Sequence, residues 1–491
     1  MTASEPDSFQ NCMCTRNPLT LLELAGKSLL RNEYLAISAL ETLPAELFPP
    51  LFMEAYTSGC NETLKAMVQA WPFACLPLGG LAPIPNQKVL KAVLGGLDLL
   101  LAQKVRPRRW RLRVLDLQNA SQNFWGMWSA ATAHECLRVR PVAEDSCRMQ
   151  EPSRALTVCI DLCLKEKTLD EVFTYLLMWT AQRRSSVHLC CKTLKIFLMT
   201  PRHVKKVLNK VQPGCILRLE VEDMKKSTLC MFAPYLGQMT HLQTLVHPFI
   251  KVPVCEEEKQ HVAQFTSQLR KLHHLRKLHM PFAIFLEDCL DETFRCLRAP
   301  LETLSINNSQ LTGKDLVCLS QSPSIRQLKE LDLRSVTLLS VSMKPLQVLL
   351  ETVAATLQTL NVENCELFDT DLEAILPALR RCHQLRSLNI TWNFLTMSVV
   401  RQLLQHNPKL DHLSLGVYPD PLDIYPFRGL DDEHRLKIVR EGSAQAQAEL
   451  LGIMKDLGQF WTVRYEEPIH LYCDRTIDNS GPLTCPWESP D

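Results

Sequence analysis

The sequence predicts an α/β fold: a leucine-rich repeat solenoid, a curved horseshoe with parallel strands on its concave face and helices on its convex face, preceded by a small helical N-terminal cap. The phrase L-x-x-L-x-[LIV] recurs as LETLSI, LKELDL, LQTLNV and LRSLNI, with start-to-start spacings of 27, 29 and 28 residues. The intervening stretches 342–355 and 369–381 carry apolar residues at helical spacing. One such unit cannot bury its apolar side alone, so neighbouring units must stack.

The first 90 residues lack the repeat phrase and predict the helical cap. Four short stretches have apolar residues at helical spacing and are separated by breakers: TLLELAGKSLLRNE, YLAISALETL, ELFPPLFMEAYTSG and ETLKAMVQAW. Helices this short are marginal on their own, so their stability must come from packing against one another and against the first repeat.

Residues 91–416 predict eleven repeat units. Seven further phrases extend the four clear ones: LRVLDL, ALTVCIDLCL, CKTLKI, ILRLEV, LQTLVH, LRKLHM and LDHLSL. The rhythm breaks near 121–154, which predicts an insertion. Residues 417–465 predict a C-terminal cap, with a helix from about 431 to 457 and a strand in FWTVRY, and residues 466–491 predict a loose tail.

Composition narrows the function classes. Lys and Arg number 54 against 53 Asp and Glu, a net charge of +1, so no overall field favours direct binding to nucleic acid. No apolar run is long enough to span a membrane, and the first ten residues lack a secretory signal pattern. Twenty scattered cysteines, such as Cys159, Cys163, Cys191 and Cys365, therefore predict reduced thiols, mostly buried, and a cytoplasmic location, with a nuclear one also open.

Catalytic and cofactor motifs are absent from the sequence. It has no G-x-x-x-x-G-K-[ST], G-x-G-x-x-G, G-x-S-x-G or H-E-x-x-H, and only 16 glycines. No C-x-x-C pair occurs, so the cysteine spacing gives no support for a metal site. The expectation is a protein that is not an enzyme and that needs no cofactor or metal.

Two adjoining patterns in the cap are candidates for docking on a ubiquitin ligase scaffold. Thr20-Leu21-x-x-x-Ala25-x-x-x-Leu29 resembles the elongin-binding BC-box of cullin substrate receptors, with alanine where that box usually has cysteine. Leu43-Pro44-x-x-Leu47-x-x-x-Leu51 resembles a cullin-contacting box, and LPAELFPPLF also resembles the core of an F-box. The alternative is an amphipathic cap whose leucines face their own core.

Two other patterns have competing interpretations. KVRPRRWRLR, residues 104–113, is consistent with a nuclear import or nucleic-acid patch, but alternating arginines before a strand favour a solvated edge. Two L-x-x-L-L segments, 97–101 and 346–350, match a helix that docks in a nuclear-receptor groove, and helical spacing favours burial in the core for the second.

The residues between the repeated leucines form the second candidate site. Strand alternation sends the leucines inward and their neighbours to the opposite face, where they build a polar surface of mixed charge. Parallel sheets rarely leave one face open, so this face is predicted to bind a protein partner. Its candidate residues are Ser305, Asn307, Glu330, Asp332, Arg334, Asn361, Glu363, Asn389, Thr391 and His412, with Thr303, Thr359, Ser387 and Ser414 beside them.

Nearly the whole chain resembles the PRAME family of leucine-rich repeat proteins. The resemblance is carried by ELAGKSLLRNEYLAISALETLPAELFPPLF, TLKAMVQAWPFACLPLG, LLAQKVRPRRWRLRVLDLQ, LCCKTLKIF, PYLGQM, AQFTSQL, PLETLSI and LSQSPS. It implies a substrate-recognition subunit of a cullin-two type, elongin-linked ubiquitin ligase. It further implies repression of retinoic-acid-type transcription, opposition to differentiation and apoptosis, and support of proliferation. Family members often end in a cysteine-rich tail, of which this chain keeps only Cys473 and Cys485.

These inferences combine into one expectation, a nonenzymatic adaptor. Residues 18–52 dock elongin and cullin, and the concave face from about 300 to 415 holds a protein substrate. Two alternatives stay open: a corepressor that acts on nuclear receptors through an L-x-x-L-L segment without ubiquitin, and a stoichiometric protein inhibitor.

Overall fold

The fold is taken from a computed structural model, which describes residues 21–81, 86–103, 107–118, 125, 156–165, 171–197, 201–222, 226–246, 256–281, 289–338, 342–406, 412–415, 448–453, 455–456, 462–466, 474–478 and 481–482. The chain divides into two compact units. The first comprises Met1–Ile160 and Asp170–Leu189, and the second comprises Asp161–Leu169 and Cys190–Asp491. Across the described residues, no helix is both long and apolar enough to cross a bilayer.

The first unit contains the predicted cap helices and the first strands. Its helices are α1 (Leu21–Leu30), α2 (Glu33–Ala39), α3 (Phe48–Ser58), α4 (Asn61–Gln69), α5 (Gln87–Ala102) and α6 (Glu171–Gln182). The strands β1 (Cys75–Pro77), β2 (Val114–Asp116) and β3 (Leu156–Lys165) pair in parallel in that order. The four predicted cap stretches correspond to α1 to α4, and the short strand β1 was not foreseen because its three residues carry no periodic pattern.

Aromatic side chains form the centre of the cap. The Trp71 ring lies 5.3 Å from the Phe52 ring and 6.2 Å from the Phe48 ring, centroid to centroid, in edge-to-face geometry. Trp125 stacks on Phe52 at 5.7 Å, and both indole N–H groups donate to backbone carbonyls, at Cys75 for Trp71 and at Pro77 for Trp125. Each buried indole N–H therefore has a hydrogen-bond partner, and the two rings pack against the buried side of α3.

The second unit contains most of the repeat array, from Cys190 onwards, together with Asp161–Leu169. Strand and helix alternate as β4 (Val187–Phe197), α7 (Pro201–Leu208), β5 (Arg218–Glu222), α8 (Lys226–Leu236), β6 (Thr244–Val246), α9 (Glu256–Ser267), β7 (Lys277–Pro281), α10 (Cys289–Cys296), β8 (Thr303–Asn307), α11 (Gly313–Gln321), β9 (Glu330–Asp332), α12 (Lys344–Val353), β10 (Thr359–Asn361), α13 (Asp369–Leu379), β11 (Ser387–Ile390), α14 (Met397–His406) and β12 (His412–Leu415). Every consecutive strand pair from β4 to β12 is parallel. The eleven predicted repeat strands are β2 to β12, which confirms the leucine-rich repeat fold.

Repeated leucines form the interior of the array because successive repeats pair in register. Leu304 aligns with Leu331, Leu331 with Leu360 and Leu360 with Leu388, and all four side chains are buried. Each strand then turns away through a residue with positive φ, at Asn308, Ser335, Asn364 and Trp392, five positions after the first residue of the strand. Alternation thus leaves one strand face for the polar residues.

The last strands correct one prediction. The strand predicted in FWTVRY is β13 (Thr462–Glu466), parallel to β12. The expectation of a loose tail is wrong for β14 (Asp474–Asp478), which pairs antiparallel with β13, and for β15 (Gly481–Pro482), which pairs with β14. Backbone hydrogen bonds need no apolar periodicity, so a polar segment can still cover an open strand edge. The predicted insertion lies outside the described residues except for Trp125, and of the predicted helix from 431 to 457 only residues 448–453 and 455–456 are described, as helical.

Candidate functional site

The cap carries a groove between α1 and α3. It has a volume of about 270 Å³. The floor and walls are mainly apolar and come from three places in the sequence: Leu22, Glu23, Ala25, Gly26 and Leu29 from α1, Leu43 and Leu47 from the connection, and Pro50, Leu51, Met53, Glu54 and Thr57 from α3. The groove therefore joins the two motifs that the sequence places about twenty residues apart.

Most of the predicted scaffold-binding residues meet in this groove. Ala25, Leu29, Leu43, Leu47 and Leu51 all line it. Leu21 and Pro44 are exposed and do not line it, and Thr20 lies outside the described residues. Both motifs thus line the same groove, while Leu21, the leading leucine of the first motif, remains on the surface.

Helices α1 and α2 carry several exposed apolar side chains. Leu21 is 86% exposed and Tyr34 is 84% exposed, and Leu22, Leu24 and Leu35 are about half exposed. Large apolar side chains that stay exposed in number over so short a stretch of sequence are a sign of an interaction surface. Sequence analysis missed Leu24, Tyr34 and Leu35 because helical spacing alone does not say which side of a short helix has no neighbour.

The segment that carries Leu43 is fixed from a distance in sequence. The Arg109 guanidinium Nη1 donates to the carbonyl oxygens of Leu40, at 3.0 Å, and Leu43, at 2.5 Å. The predicted solvated edge of residues 104–113 describes Arg108, Arg111 and Arg113, which are exposed. It is wrong for Arg109, because the carbonyls left free where α2 ends need a donor. Arg109 is therefore a positioning residue of the groove.

The entry to α3 has a local sequence cause. Leu47 precedes Pro49 and Pro50, which fit the first turn of a helix because their missing N–H groups need no partner there. The helix ends at Gly59, whose φ of 71° allows the left-handed turn. The Asn32 side chain similarly caps α2 by accepting from the Leu35 N–H at 3.2 Å. These signals set the boundaries of the groove.

The second candidate site is the polar strand face, defined by the polar residues of β8 to β12 together with Arg334 and Thr391, which directly follow β9 and β11. Its side chains bond sideways between repeats. Thr303 Oγ1 donates to the Glu330 carboxylate at 3.1 Å, and Ser305 Oγ donates to Asp332 at 3.0 Å. One repeat pair further along, Asn389 Nδ2 donates to Glu363 at 2.9 Å. Hydrogen bonds between side chains thus link the repeats of β8 and β9, and those of β10 and β11, across this face.

The polar strand face is exposed to solvent only in part. Thr303, Ser305, Asp332 and Thr391 are buried, since neighbouring side chains cover them. The Arg334 guanidinium donates to the Asp332 carboxylate at 2.9 Å. This hydrogen bond, and the negative charges of Asp332 and Glu363, raise the pKa of Arg334. Glu330, Arg334 and His412 remain exposed, whereas Asn307, Asn361, Glu363 and Asn389 are half-buried.

The same face continues through β5 and β7 with a basic character that sequence analysis did not single out. Lys195 and Arg218 flank Glu220, with Nζ–Oε2 and Nη2–Oε2 distances of 2.9 and 3.5 Å. His279 is half-buried on β7, and β6 separates it from Glu220. Its pKa is lowered by burial, then by Arg218 and Lys277, against an opposing effect of Glu330 and Asp332. The alignment of the repeats could have revealed these residues in the sequence, because they occupy the same repeat positions as Ser305 and its neighbours.

The leucines of both L-x-x-L-L segments are buried except Leu101, which is half-buried. Leu97 and Leu100 on α5, and Leu346, Leu349 and Leu350 on α12, are fully shielded from solvent. A receptor groove would need these same side chains on the surface. The core interpretation of 346–350 is therefore confirmed, and the first segment is core as well.

The cysteines that the structure describes are free thiols. Cys159, Cys191 and Cys365 are buried as predicted, while Cys163 is exposed. Burial raises the pKa of Cys365 to about 12 and that of Cys382 to about 11. Both therefore stay protonated at neutral pH, which removes them as nucleophiles.

Comparisons with known proteins agree with the sequence resemblance. The model of the PRAME N-terminal domain matches residues 18–125, and that of the PRAME C-terminal domain matches residues 156–477. Human PRAME family member 12 is 49% identical over 453 residues, which cover 91% of this chain and 92% of that protein. Human PRAME family member 20 is 47% identical over 454 residues, covering 91% and 94%. Among solved structures, the yeast complex of Rad7 and Elc1 contains a chain with a TM-score of 0.42 and 16% identity, covering 81% of this chain and 93% of that one. That similarity is too low to indicate function.

Proposed function

Since the chain belongs to the PRAME family, we propose that it is the substrate-recognition adaptor of a cullin-RING ubiquitin ligase of the cullin-two type. In this proposal the cap binds elongin and cullin, and the polar strand face binds the protein that is to be ubiquitinated. The observation that carries the proposal is the groove, which brings together five of the eight residues of the two scaffold motifs.

The exposed Leu21 side chain explains how docking would be stabilised. Leu21 is 86% exposed, so inserting it into a partner pocket would remove almost a whole leucine side chain from water. Full burial of such a side chain is worth about 1.5–3 kcal/mol. Ala25 one turn later has no bulk beyond Cβ, which allows a partner helix to approach closely. The groove then offers Leu29 and Leu47 as a floor for further apolar contact.

The substrate side of the proposal rests on the exposed members of the polar strand face. Glu330, Arg334 and His412 present both signs of charge on adjacent or nearby strands. Asp332 fixes the Arg334 guanidinium from beneath, so this cation is held in place before a partner arrives. Preorganised charged groups give an interface specificity more than raw affinity.

Cellular consequences would follow from which protein is degraded. We propose the effects that the family resemblance implies: negative regulation of retinoic-acid-type transcription, of differentiation and of apoptosis, and support of proliferation, in the cytoplasm and the nucleus. The proposed adaptor performs no chemistry itself, because the transfer of ubiquitin takes place elsewhere in the ligase.

Affinity purification from cells tests the scaffold role. Leu21→Asp places a charge where the proposal needs an apolar contact. Losing about 1.4 kcal/mol of binding free energy weakens affinity tenfold, so recovery of elongin and cullin should fall at least about tenfold. Leu47→Asp should have the same effect through the groove floor. Leu99→Asp is the matched control because Leu99, on α5 of the same unit, is 47% exposed and lies outside both motifs.

The outcome separates the proposal from its alternatives. Equal recovery of elongin and cullin with the wild type and with Leu21→Asp would remove the docking role of α1. Failure of the wild-type chain to recover either protein would remove the ligase role altogether. A stoichiometric inhibitor would instead retain a partner on the polar strand face without any loss of that partner from the cell.

A further inference from the structure

Four consecutive repeats place a non-glycine residue in the left-handed region at the same position. The φ values are 52° at Asn308, 55° at Ser335, 53° at Asn364 and 58° at Trp392. Asparagine tolerates this region because its short side chain can bond locally, whereas a bulky aromatic residue is a true outlier there. Trp392 therefore occupies the position at a cost that asparagine in the neighbouring repeat does not incur. Backbone strain of this kind concentrates at binding sites.

Two further aromatic side chains lie in the segments that follow β10 and β11. Phe368 and Phe394 stack with ring centroids 5.0 Å apart and planes 19° apart. They pair through an isolated parallel bridge and remain 40% and 38% exposed. A second strained residue, Glu366, with a φ of 58°, precedes this pair. We call Phe368, Trp392 and Phe394 the aromatic rim.

The two segments that carry the aromatic rim contain charge of one sign only. Residues 361–379 contain five carboxylates, Glu363, Glu366, Asp369, Asp371 and Glu373, and no lysine or arginine, and residues 387–398 contain no charge at all. Three of these carboxylates accept hydrogen bonds from neutral groups, Asp369 from the Thr396 hydroxyl, Asp371 from the Phe368 N–H and Glu363 from Asn389. Such bonds leave their charge in place. Arg334, which follows β9, donates to Asp332 and also interacts electrostatically with Glu363, so Glu366 is the carboxylate beside the rim that has no cation partner among the described residues.

We propose that the aromatic rim binds a lysine or arginine side chain of a basic protein segment, with Glu363 and Glu366 supplying the opposite charge. Aromatic faces attract cations through their quadrupole, and a carboxylate nearby adds direct attraction. The surrounding carboxylates repel nucleic acid, which leaves a basic stretch of polypeptide as the matching partner. This site does not depend on the ligase role, because it lies in the segments after β10 and β11 and uses none of the groove residues.

Calorimetric titration of the full chain with a synthetic octapeptide of alternating lysine and glycine tests the proposal. Trp392→Asn removes the ring and introduces asparagine, the residue found at the equivalent position 364 of the neighbouring repeat. The melting temperature of this variant should therefore be no lower than that of the wild type. Peptide binding should weaken by about tenfold, the equivalent of a partly desolvated cation–π contact. Ser335→Asn is the matched control, because it makes the same replacement at an equivalent position without removing a ring, and binding should be unchanged.

A second peptide and a second variant decide between cation binding and simple apolar contact. An octapeptide with norleucine in place of lysine keeps the alkyl chains without the charge, and it should not bind measurably. The double variant Glu363→Gln and Glu366→Gln should weaken lysine-peptide binding and reduce its dependence on salt. Equal binding of the norleucine peptide, unchanged binding by a folded Trp392→Asn variant, or no binding of the lysine peptide to the wild type would each overturn the proposal.

Discussion

At the scale of single residues, Asn393 shows how one side chain can hold a repeat in place. Its amide nitrogen donates to the carbonyls of Val362, Ile390 and Thr391 at 2.8, 3.0 and 3.2 Å. Its amide oxygen accepts from the N–H groups of Cys365 and Leu367, both at 3.0 Å. The side chain is fully buried, so it satisfies backbone groups of two neighbouring repeats that water cannot reach.

Asn393→Leu should destabilise the array more than an ordinary polar substitution. Leucine of similar size would leave several buried backbone groups without partners, at about 1–3 kcal/mol for each. We expect a loss of several kcal/mol in the free energy of unfolding, measured by urea denaturation. Asn389→Leu is the control, because Asn389 is half-buried on the polar strand face, and it should cost much less. Equal losses for the two variants would contradict the account of Asn393.

His279 gives the molecule a predictable dependence on pH. Burial, Arg218 and Lys277 lower its pKa below the ordinary value of 6.5. In the unfolded chain the imidazole regains that ordinary pKa, so as the pH falls through about 6.5 the unfolded state binds a proton before the folded state does. Stability contributed by this residue is therefore complete above pH 6.5 and is lost below it.

Thermal melting between pH 8 and pH 5.5 measures the His279 contribution. The wild type should lose more stability over this interval than His279→Gln, which cannot titrate. His412→Gln serves as the control, since His412 is exposed and lies on the last repeat strand. If the His279→Gln variant keeps the full wild-type pH dependence, the lowered pKa has no effect on folding.

At the scale of secondary structure elements, the connection between α2 and α3 depends on Arg109. The guanidinium bonds two carbonyls, at Leu40 and Leu43, from nearly seventy residues away. Charge-assisted hydrogen bonds of this kind contribute about 1.5–3 kcal/mol each when they are shielded from water. Half exposure reduces that value here, so the effect should be local rather than global.

Arg109→Met should loosen the groove without unfolding the chain. Methionine keeps the length of the side chain but donates no hydrogen bond, so the amides of residues 40–47 should exchange with deuterium several times faster. Elongin recovery should fall in parallel, because Leu43 and Leu47 line the groove. Arg108→Met is the control, as Arg108 is exposed. Unchanged exchange in residues 40–47 would show that Arg109 does not position the segment.

Substitutions in helices α5 and α12 distinguish a role in the core from a role in partner binding. Leu97 and Leu349 are fully buried, so truncation to alanine should cost about 2–5 kcal/mol through lost burial and the remaining cavity. Denaturation of Leu349→Ala checks this, with Val348→Ala on the exposed side of the same helix as the control. A folded Leu349→Ala variant with wild-type stability would reopen the receptor-binding interpretation of α12.

The elements also show what periodicity can and cannot predict. Strands β2 to β12 and helices α1 to α4 follow from the spacing of apolar residues, since burial on one side enforces that spacing. The network between Thr303, Glu330, Ser305 and Asp332 does not follow, because sideways hydrogen bonds depend on the register of neighbouring repeats. Likewise β1 and β14 are held by backbone bonds, and Arg109 by contacts with a distant segment.

At the scale of the whole molecule, two units have different proposed tasks. The first contains the apolar groove and the exposed leucine, and the second contains the polar strand face and the aromatic rim. An adaptor needs one surface for the enzyme complex and another for the substrate, and a division into units keeps substitutions in one surface from altering the other. Variants of Leu21 should therefore leave partner binding to Glu330 and Arg334 unchanged.

The most direct test of the adaptor account is binding of the purified full chain to the purified elongin complex by calorimetry. The account predicts saturable binding to the wild type, binding that is at least about tenfold weaker for Leu21→Asp, and wild-type affinity for Leu99→Asp. The absence of binding by a folded wild-type chain, or equal affinity of all three proteins, would contradict it.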